Sequence, residues 1–198
     1  LEAASRSPSV RGVIIQIDSA GGSIPAAFEL ADAIARTQSA GTPVVALVGS
    51  AASGAGYFAL APADRIITPA AAALAGLGTS QSRLPEGLSA RSGPAAPDDP
   101  ADRIAHARYA AVLEGVARAR DLPLARMDAL SRGQIWSGEE AVAYGLADRI
   151  GGLHDAFEEV RSLAGVAADE PLGLQPAPPR ERSVQPLLER LPPAPVSP

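Results

Sequence analysis

Two β-branched apolar runs, each emptying into a turn made of glycine, alanine and serine, limit what this chain can fold into more than any other feature. The first, Val10 to Asp18 (V-R-G-V-I-I-Q-I-D), is nearly continuous in apolar character, as a strand is when a sheet is covered on both faces. It ends in S-A-G-G-S. The second, Thr42 to Val48 (T-P-V-V-A-L-V), leads into Gly49 to Leu60, a small-residue stretch that reads as a turn followed by a helix. Between the two, Ile24, Phe28, Leu30, Ala31 and Ile34 recur at helical spacing, so a helix is predicted over Ile24 to Arg36, closed by Gly41-Thr42-Pro43. A further short strand is predicted over Asp64 to Thr68.

Strand-helix-strand-helix alternation with short links points to an α/β fold with a mainly parallel sheet and helices packed on it. Both glycine turns then fall at one edge of the sheet, where strand ends meet helix starts and ligands bind. Apolar residues make up 46% of the chain but aromatics only 4%, so the core has to be built from small aliphatic side chains at close approach. Beyond a Ser/Gly/Pro/Asp-rich loop at Thr79 to Asp102, helices are predicted over Ala101 to Ala119, Leu124 to Ser131, Gly138 to Tyr144 and Leu153 to Ala164. The 198 residues suit one domain over residues 1–168, followed by a Pro-rich, mostly irregular tail over 169–198 with one apolar patch at Val184 to Leu191. The chain begins on Leu1 and runs almost at once into a strand, so its start is expected to be a fragment boundary.

Several function classes drop out. A net charge of -5 with scattered arginines and no basic stripe among aromatics excludes a nucleic-acid surface. Without cysteine there is no disulfide, thiolate site or cysteine nucleophile. No apolar run reaches the length of a membrane span. No His, Asp or Glu spacing suggests a metal site, and no cofactor is expected.

The residues that carry chemistry sit in the two turns. Gly21 and Gly22 expose backbone N–H groups beside a helix start, a place suited to an anion or oxyanion. In G-S-A-A-S-G-A-G-Y, Ser53 stands among residues with almost no bulk, and the N–H of Gly54 can join that of Gly22 in holding a tetrahedral oxyanion. A structural reading stands beside this one: a helix N-cap, for which Ser50 is an equal candidate. Gly21, Ser23 and Tyr57 are expected along a substrate groove. A serine nucleophile needs a base, and all 17 basic residues are arginine, whose pKa above about 12 rules it out as a proton acceptor. His106 lies inside a helix pattern and His154 at a helix start, neither in a recognisable triad context. Asp18 is expected to bond turn amides, Asp98 and Asp99 to be solvated, and Ser137 with Glu140 to form a capping box.

Four ordered blocks then resemble a known family: I-I-Q-I-D-S-A-G-G-S, P-V-V-A-L-V-G-S-A-A-S-G-A-G-Y-F, A-P-A-D-R-I-I and G-Q-I-W-S-G-E-E-A-V-A-Y-G-L-A-D-R-I-G-G. From about Val10 to Gly165 the chain resembles signal peptide peptidase A, and in particular the serine-bearing C-terminal half of its long two-half members. The resemblance implies a ClpP/crotonase-type fold, Ser53 as nucleophile, Gly22 and Gly54 as oxyanion donors, and peptide substrates. It also implies membrane association of the full-length protein, and a homo-oligomer or partner domain that supplies a lysine base. The family's turn after the third strand is abbreviated here to A-G-L-G around Gly76 and Gly78. Where a lysine would be sought, the chain has Ala95 and Ala96. Three readings follow: a serine endopeptidase whose base lies outside this chain, a catalytically inactive ClpP-like assembly module, and a crotonase-type acyl-thioester enzyme.

Overall fold

The computed structural model describes residues 1–77 and 100–177. Gly78, the Ala95–Ala96 and Asp98–Asp99 positions, the side chain of His106 and the apolar patch at Val184 to Leu191 lie outside the described residues. In chain order the elements are α1 (Glu2–Ser5), β1 (Val13–Ser19), α2 (Ile24–Ser39), β2 (Val44–Ser53), α3 (Ala55–Leu60), β3 (Arg65–Thr68), β4 (Ala73–Ala75), α4 (Pro100–Ala119), α5 (Leu124–Leu130), β5 (Ile135–Ser137), α6 (Gly138–Tyr144), β6 (Arg149–Ile150) and α7 (Leu153–Leu163).

The sheet is organised around β2. It pairs in parallel with β1 (Val13↔Val44 through Ile17↔Val48), with β3 through Val45, Ala46 and Leu47, and with β4 through Ala51, Ala52 and Ser53. Beyond β3 lies β6, also parallel, and beyond β4 lies β5, the one antiparallel neighbour among the described residues. The alternation of strand side chains explains why β2 reads as continuously apolar. Val45 and Leu47 join Ile67, Ala156 and Val160 beneath α7. Ala46 and Val48 face the larger core with Tyr57, Leu60, Ile66, Leu74, Val116, Met127 and Leu146. Both faces are covered, as the unbroken hydrophobic run requires.

The first helix after a strand follows from its start signals. Ser23 caps α2 by accepting the Ala26 N–H at 3.5 Å, and Pro25 sits in the first turn, where a missing N–H costs nothing. One face of α2 buries Ala27, Ile34 and Thr37, and Phe28 meets Phe58 of α3 edge-on at 4.5 Å. In α6 the predicted capping box is present: Ser137 Oγ accepts the Glu140 N–H at 3.3 Å while Glu140 Oε2 accepts the Ser137 N–H at 2.9 Å. The Ser137 N–H and the Ser137 hydroxyl, both donating to Glu140 Oε2, hold that carboxyl below the usual carboxylate range.

The four-residue string A-D-R-I occurs three times, and its copies at Ala63 to Ile66 and Ala147 to Ile150 do the same work. Asp64 Oδ2 accepts the Val44 N–H and Asp148 Oδ2 the Ile66 N–H, each at 2.7 Å, and each aspartate returns its own N–H to the same residue's carbonyl at 2.9 Å. The starts of β2, β3 and β6 are thereby tied edge to edge. Asp148 also pairs with Arg120 at 2.9 Å, whose side chain is only 7% exposed and also donates to the Gly145 carbonyl.

Tyr57 belongs to this assembly. The sequence places it along a substrate groove; the structure buries it completely, with its hydroxyl donating to the Leu146 carbonyl at 2.8 Å. It is a strut between α3 and the chain leading into β6, with its ring in the larger core beside Phe58, Leu60, Leu74 and Met127. Burial pushes its phenol well above the ordinary tyrosine value, with Arg120 opposing and Asp148 adding to the shift.

Two measurements test these roles. Asp148→Ala leaves Arg120 buried without its counter-ion and is expected to lower unfolding free energy by about 3 kcal/mol in urea titrations, with Asp148→Asn, which keeps an acceptor for the Ile66 N–H, losing less. Because the folded Tyr57 pKa is raised, its contribution is intact below about pH 10 and is lost as pH rises beyond it, when the unfolded chain releases a proton that the folded one retains. Denaturation between pH 9 and pH 12 is therefore expected to show a shallower alkaline loss of stability in Tyr57→Phe than in the parent, by up to about 1.4 kcal/mol per pH unit.

Candidate active site

The two glycine turns meet. A methyl group placed on Gly54 would lie 3.8 Å from the Cα of Gly21, and one on Gly22 would lie 3.9 Å from the Cβ of Ala55. Ser19 steadies the first turn: its hydroxyl donates to the Gly21 carbonyl at 2.6 Å and accepts the Gly21 N–H at 3.3 Å. Among the described residues no acceptor takes the Gly22 N–H, and Gly22 is exposed. Ser23, the neighbouring residue, is engaged as the cap of α2.

Ser53 is the last residue of β2 and 9% exposed. The chain turns from strand to helix at Gly54, with φ 53 and ψ -122, a conformation that a residue with a Cβ adopts only under strain. Gly54, not Ser53, occupies the N-cap position of α3, and no side chain caps that helix. The helix-cap reading of Ser53 therefore does not hold. Nor does that of Ser50, which lies inside the extended strand and donates its hydroxyl to Asp18 Oδ1 at 2.6 Å. The same carboxylate oxygen accepts the Ala51 N–H at 3.1 Å, so Asp18 does bond backbone beside the turn, as its position suggested. It bridges the register shift between Ile17 and Ser19 where β1 and β2 lose step.

What covers Ser53 comes from β4. A methyl group on Gly76 would strike Ser53 Oγ and lie 3.4 Å from Cγ1 of Ile135, so the hydroxyl points at a bare Cα. Gly76 has φ 57, and the residue before it, Ala75, has φ 75, a left-handed backbone that costs a non-glycine residue on the order of 1 kcal/mol. The strained pair is held by its hydrogen bonds. Ala75 accepts the Gly54 N–H at 2.7 Å, and Gly76 donates to the Gln134 carbonyl at 2.9 Å. The Gly54 amide, expected to face an oxyanion, is thus engaged by β4 in this conformation.

No hydrogen bond joins Ser53 Oγ to another described residue. His154 stands exposed in the first turn of α7 and borders a separate apolar recess of about 350 Å³ with Leu153, Phe157, Leu172 and Leu174. A second, polar recess of about 310 Å³ lies around Asp64, Arg120 and Asp148. Neither includes a residue of the glycine turns. Among the described residues no group of acidic or histidine side chains is placed to hold a metal ion, and no helix is long and apolar enough to cross a membrane. Sequence reasoning treated A-G-L-G only as an abbreviated turn and passed over Ile135; the glycine between two small-residue runs was the available signal that something packs there.

Residues 100–167 match Peptidase family S49. Over 180 residues the chain is 26% identical to "Protease 4" of Salmonella typhi, covering 79% of this chain and 29% of that protein. It is 28% identical to "Protease 4" of Haemophilus influenzae, covering 81% and 30%. With "Serine protease SPPA, chloroplastic" of Arabidopsis thaliana it shares 23% identity, covering 85% and 28%. The chain thus spans about three-tenths of the length of these relatives. Among solved structures, a ClpP1 point mutant from Listeria monocytogenes superposes with a TM-score of 0.56 at 16% identity, over 78% of this chain and 85% of that one, which establishes a ClpP-like α/β fold. By sequence this chain resembles Peptidase family S49 and part of the length of the proteases named Protease 4 and SPPA, consistent with the C-terminal half of the long ones, and its fold is ClpP-like.

Proposed function

We propose that this chain is the nucleophile-bearing part of a serine endopeptidase that cleaves signal peptides or other membrane-derived peptides, in a full-length protein associated with the membrane. One observation carries the reading. The Ser53 hydroxyl, without a hydrogen-bond partner among the described residues, sits at a strand-to-helix turn beside the Gly21–Gly22 turn and against the bare Cα of Gly76. Similarity to proteases supports it.

In the proposed reaction Ser53 Oγ attacks the carbonyl carbon of the scissile peptide bond, its proton passing to the base. The carbonyl oxygen becomes an oxyanion that the Gly22 N–H is free to receive, and the Gly54 N–H joins once it leaves the Ala75 carbonyl. Collapse breaks the C–N bond, the amine leaves with a proton from the base, and an ester to Ser53 remains. Water then hydrolyses that ester. The resemblance to signal peptide peptidase A implies a lysine base, and since no lysine occurs here the reading places it outside this chain, on a partner domain or a neighbouring subunit of an oligomer.

A second reading has an observation of its own. With the Gly54 amide bonded to Ala75 and no lysine in the chain, an inactive ClpP-like assembly module is consistent with the same geometry. The two are separated by assaying the full-length protein on a quenched fluorescent apolar peptide. Ser53→Ala is expected to reduce kcat by about a thousandfold or more. Gly76→Ala, whose methyl occupies the space before the hydroxyl, is expected to reduce kcat/KM by about tenfold or more while the protein still melts cooperatively. Undiminished cleavage by Ser53→Ala would replace the peptidase reading with the assembly module.

A further inference from the structure

Ser53, Ala75 and Ile135 lie in one cross-strand row, Ser53 of β2 pairing with Ala75 of β4 and Ala75 with Ile135 of β5. The adjoining row, Ala52, Leu74 and Trp136, turns into the core: Leu74 is fully buried, and Trp136 donates its indole N–H to the Leu130 carbonyl at 2.9 Å and packs edge-on against Tyr144 at 4.7 Å. Side chains alternate along a strand, so what buries Leu74 and Trp136 sends Ile135 the other way.

Ile135 is 57% exposed, more than any other large apolar side chain among the described residues. Single exposed apolar residues are ordinary on a protein surface. This one differs in where it stands. Leu124, Leu153 and Leu163 are exposed on α5 and α7, whereas Cγ1 of Ile135 lies 3.4 Å from the point at which a single methyl on Gly76 would also strike Ser53 Oγ. The nucleophile and an exposed branched apolar side chain therefore flank the same bare Cα, within reach of one bound residue. No acidic or basic side chain shares the row.

We infer that Ile135 determines which residue is accepted on the acyl side of the scissile bond, favouring apolar side chains over charged ones. The inference rests on the reading of Ser53 as the nucleophile. Once Ser53 Oγ bonds to the carbonyl carbon, the Cα of the acyl residue is two bonds away and its side chain begins at the third, which places that side chain beside Ile135. An apolar group there covers the exposed isoleucine and is itself dehydrated, while a carboxylate loses water with no counter-charge in return. Gly76 contributes by lacking a side chain, since any Cβ at that point would occupy the same space.

The test uses diphenyl phosphonate analogues of alanine, leucine and glutamate, which form a bond from Ser53 Oγ to phosphorus as phenolate leaves, with the full-length protein. The readout is the ratio of labelling rates at Ser53 by mass spectrometry. The parent is expected to prefer the leucine over the glutamate analogue by about tenfold or more. Ile135→Arg is expected to lower that ratio by about tenfold, and Ile135→Ala to lower the leucine-to-alanine ratio, both in protein whose thermal melt matches the parent. Labelled Ser53 with ratios unmoved in both variants overturns this inference alone. Failure of every analogue to label Ser53 in the folded parent overturns it together with the nucleophile reading beneath it.

Discussion

Hydrogen bonds from both flanks hold the last residues of β2 extended, and the candidate site depends on them. Gly49 to Ser53 is a run of small residues with little strand preference of its own. It stays extended because β4 pairs with Ala51, Ala52 and Ser53, because Ser19 of β1 pairs with Ala52, and because Asp18 grips Ser50 and Ala51 across the register shift. Were those bonds absent, the chain would turn earlier and Ser53 would fall within the helix rather than at its threshold. The same pairing brings the strained Ala75–Gly76 turn over the hydroxyl. Small residues are therefore needed twice, once for the passage of β2 and once for the close approach of its neighbour.

That dependence decides how much was legible beforehand. The β1 run, α2, α6 with its capping box and α7 all follow from side-chain period and start signals that are local in sequence, and each is present to within a few residues, whereas β2 continues beyond its expected end at Val48 through Ser53, where the sequence reads as a turn. The meeting of the two glycine turns at one sheet edge followed from the parallel topology alone. Strands β4, β5 and β6 did not, since segments of two or three residues show no period and exist only through pairing with partners far along the chain. Ser50 failed as a cap for the same reason: Asp18 comes from another strand. Tyr57, in a motif rich in small residues, invites a role at the surface, yet a core poor in aromatics uses its ring for volume and its hydroxyl to satisfy a carbonyl.

The chemistry divides along a similar line. The chain supplies a hydroxyl at a tight turn and an exposed amide at Gly22, both short-range products of its own strands. It supplies no amine, and its many arginines hold structure instead, as Arg120 does with Asp148. Hydrogen bonding of the Gly54 amide to the Ala75 carbonyl ties that amide to the position of β4, so in the proposed mechanism it serves the oxyanion only if β4 gives way. A partner that brings a base and shifts β4 would supply both missing parts at once.

Labelling of the folded full-length protein with a fluorophosphonate, followed by fragmentation of the tryptic peptide from Thr37 to Arg65, tests the central claim most directly. That peptide carries both Ser50 and Ser53. The account expects one adduct, formed with loss of fluoride, on Ser53, and none in Ser53→Ala. An adduct on Ser50, or none at all in protein that binds and cleaves peptide, would contradict it.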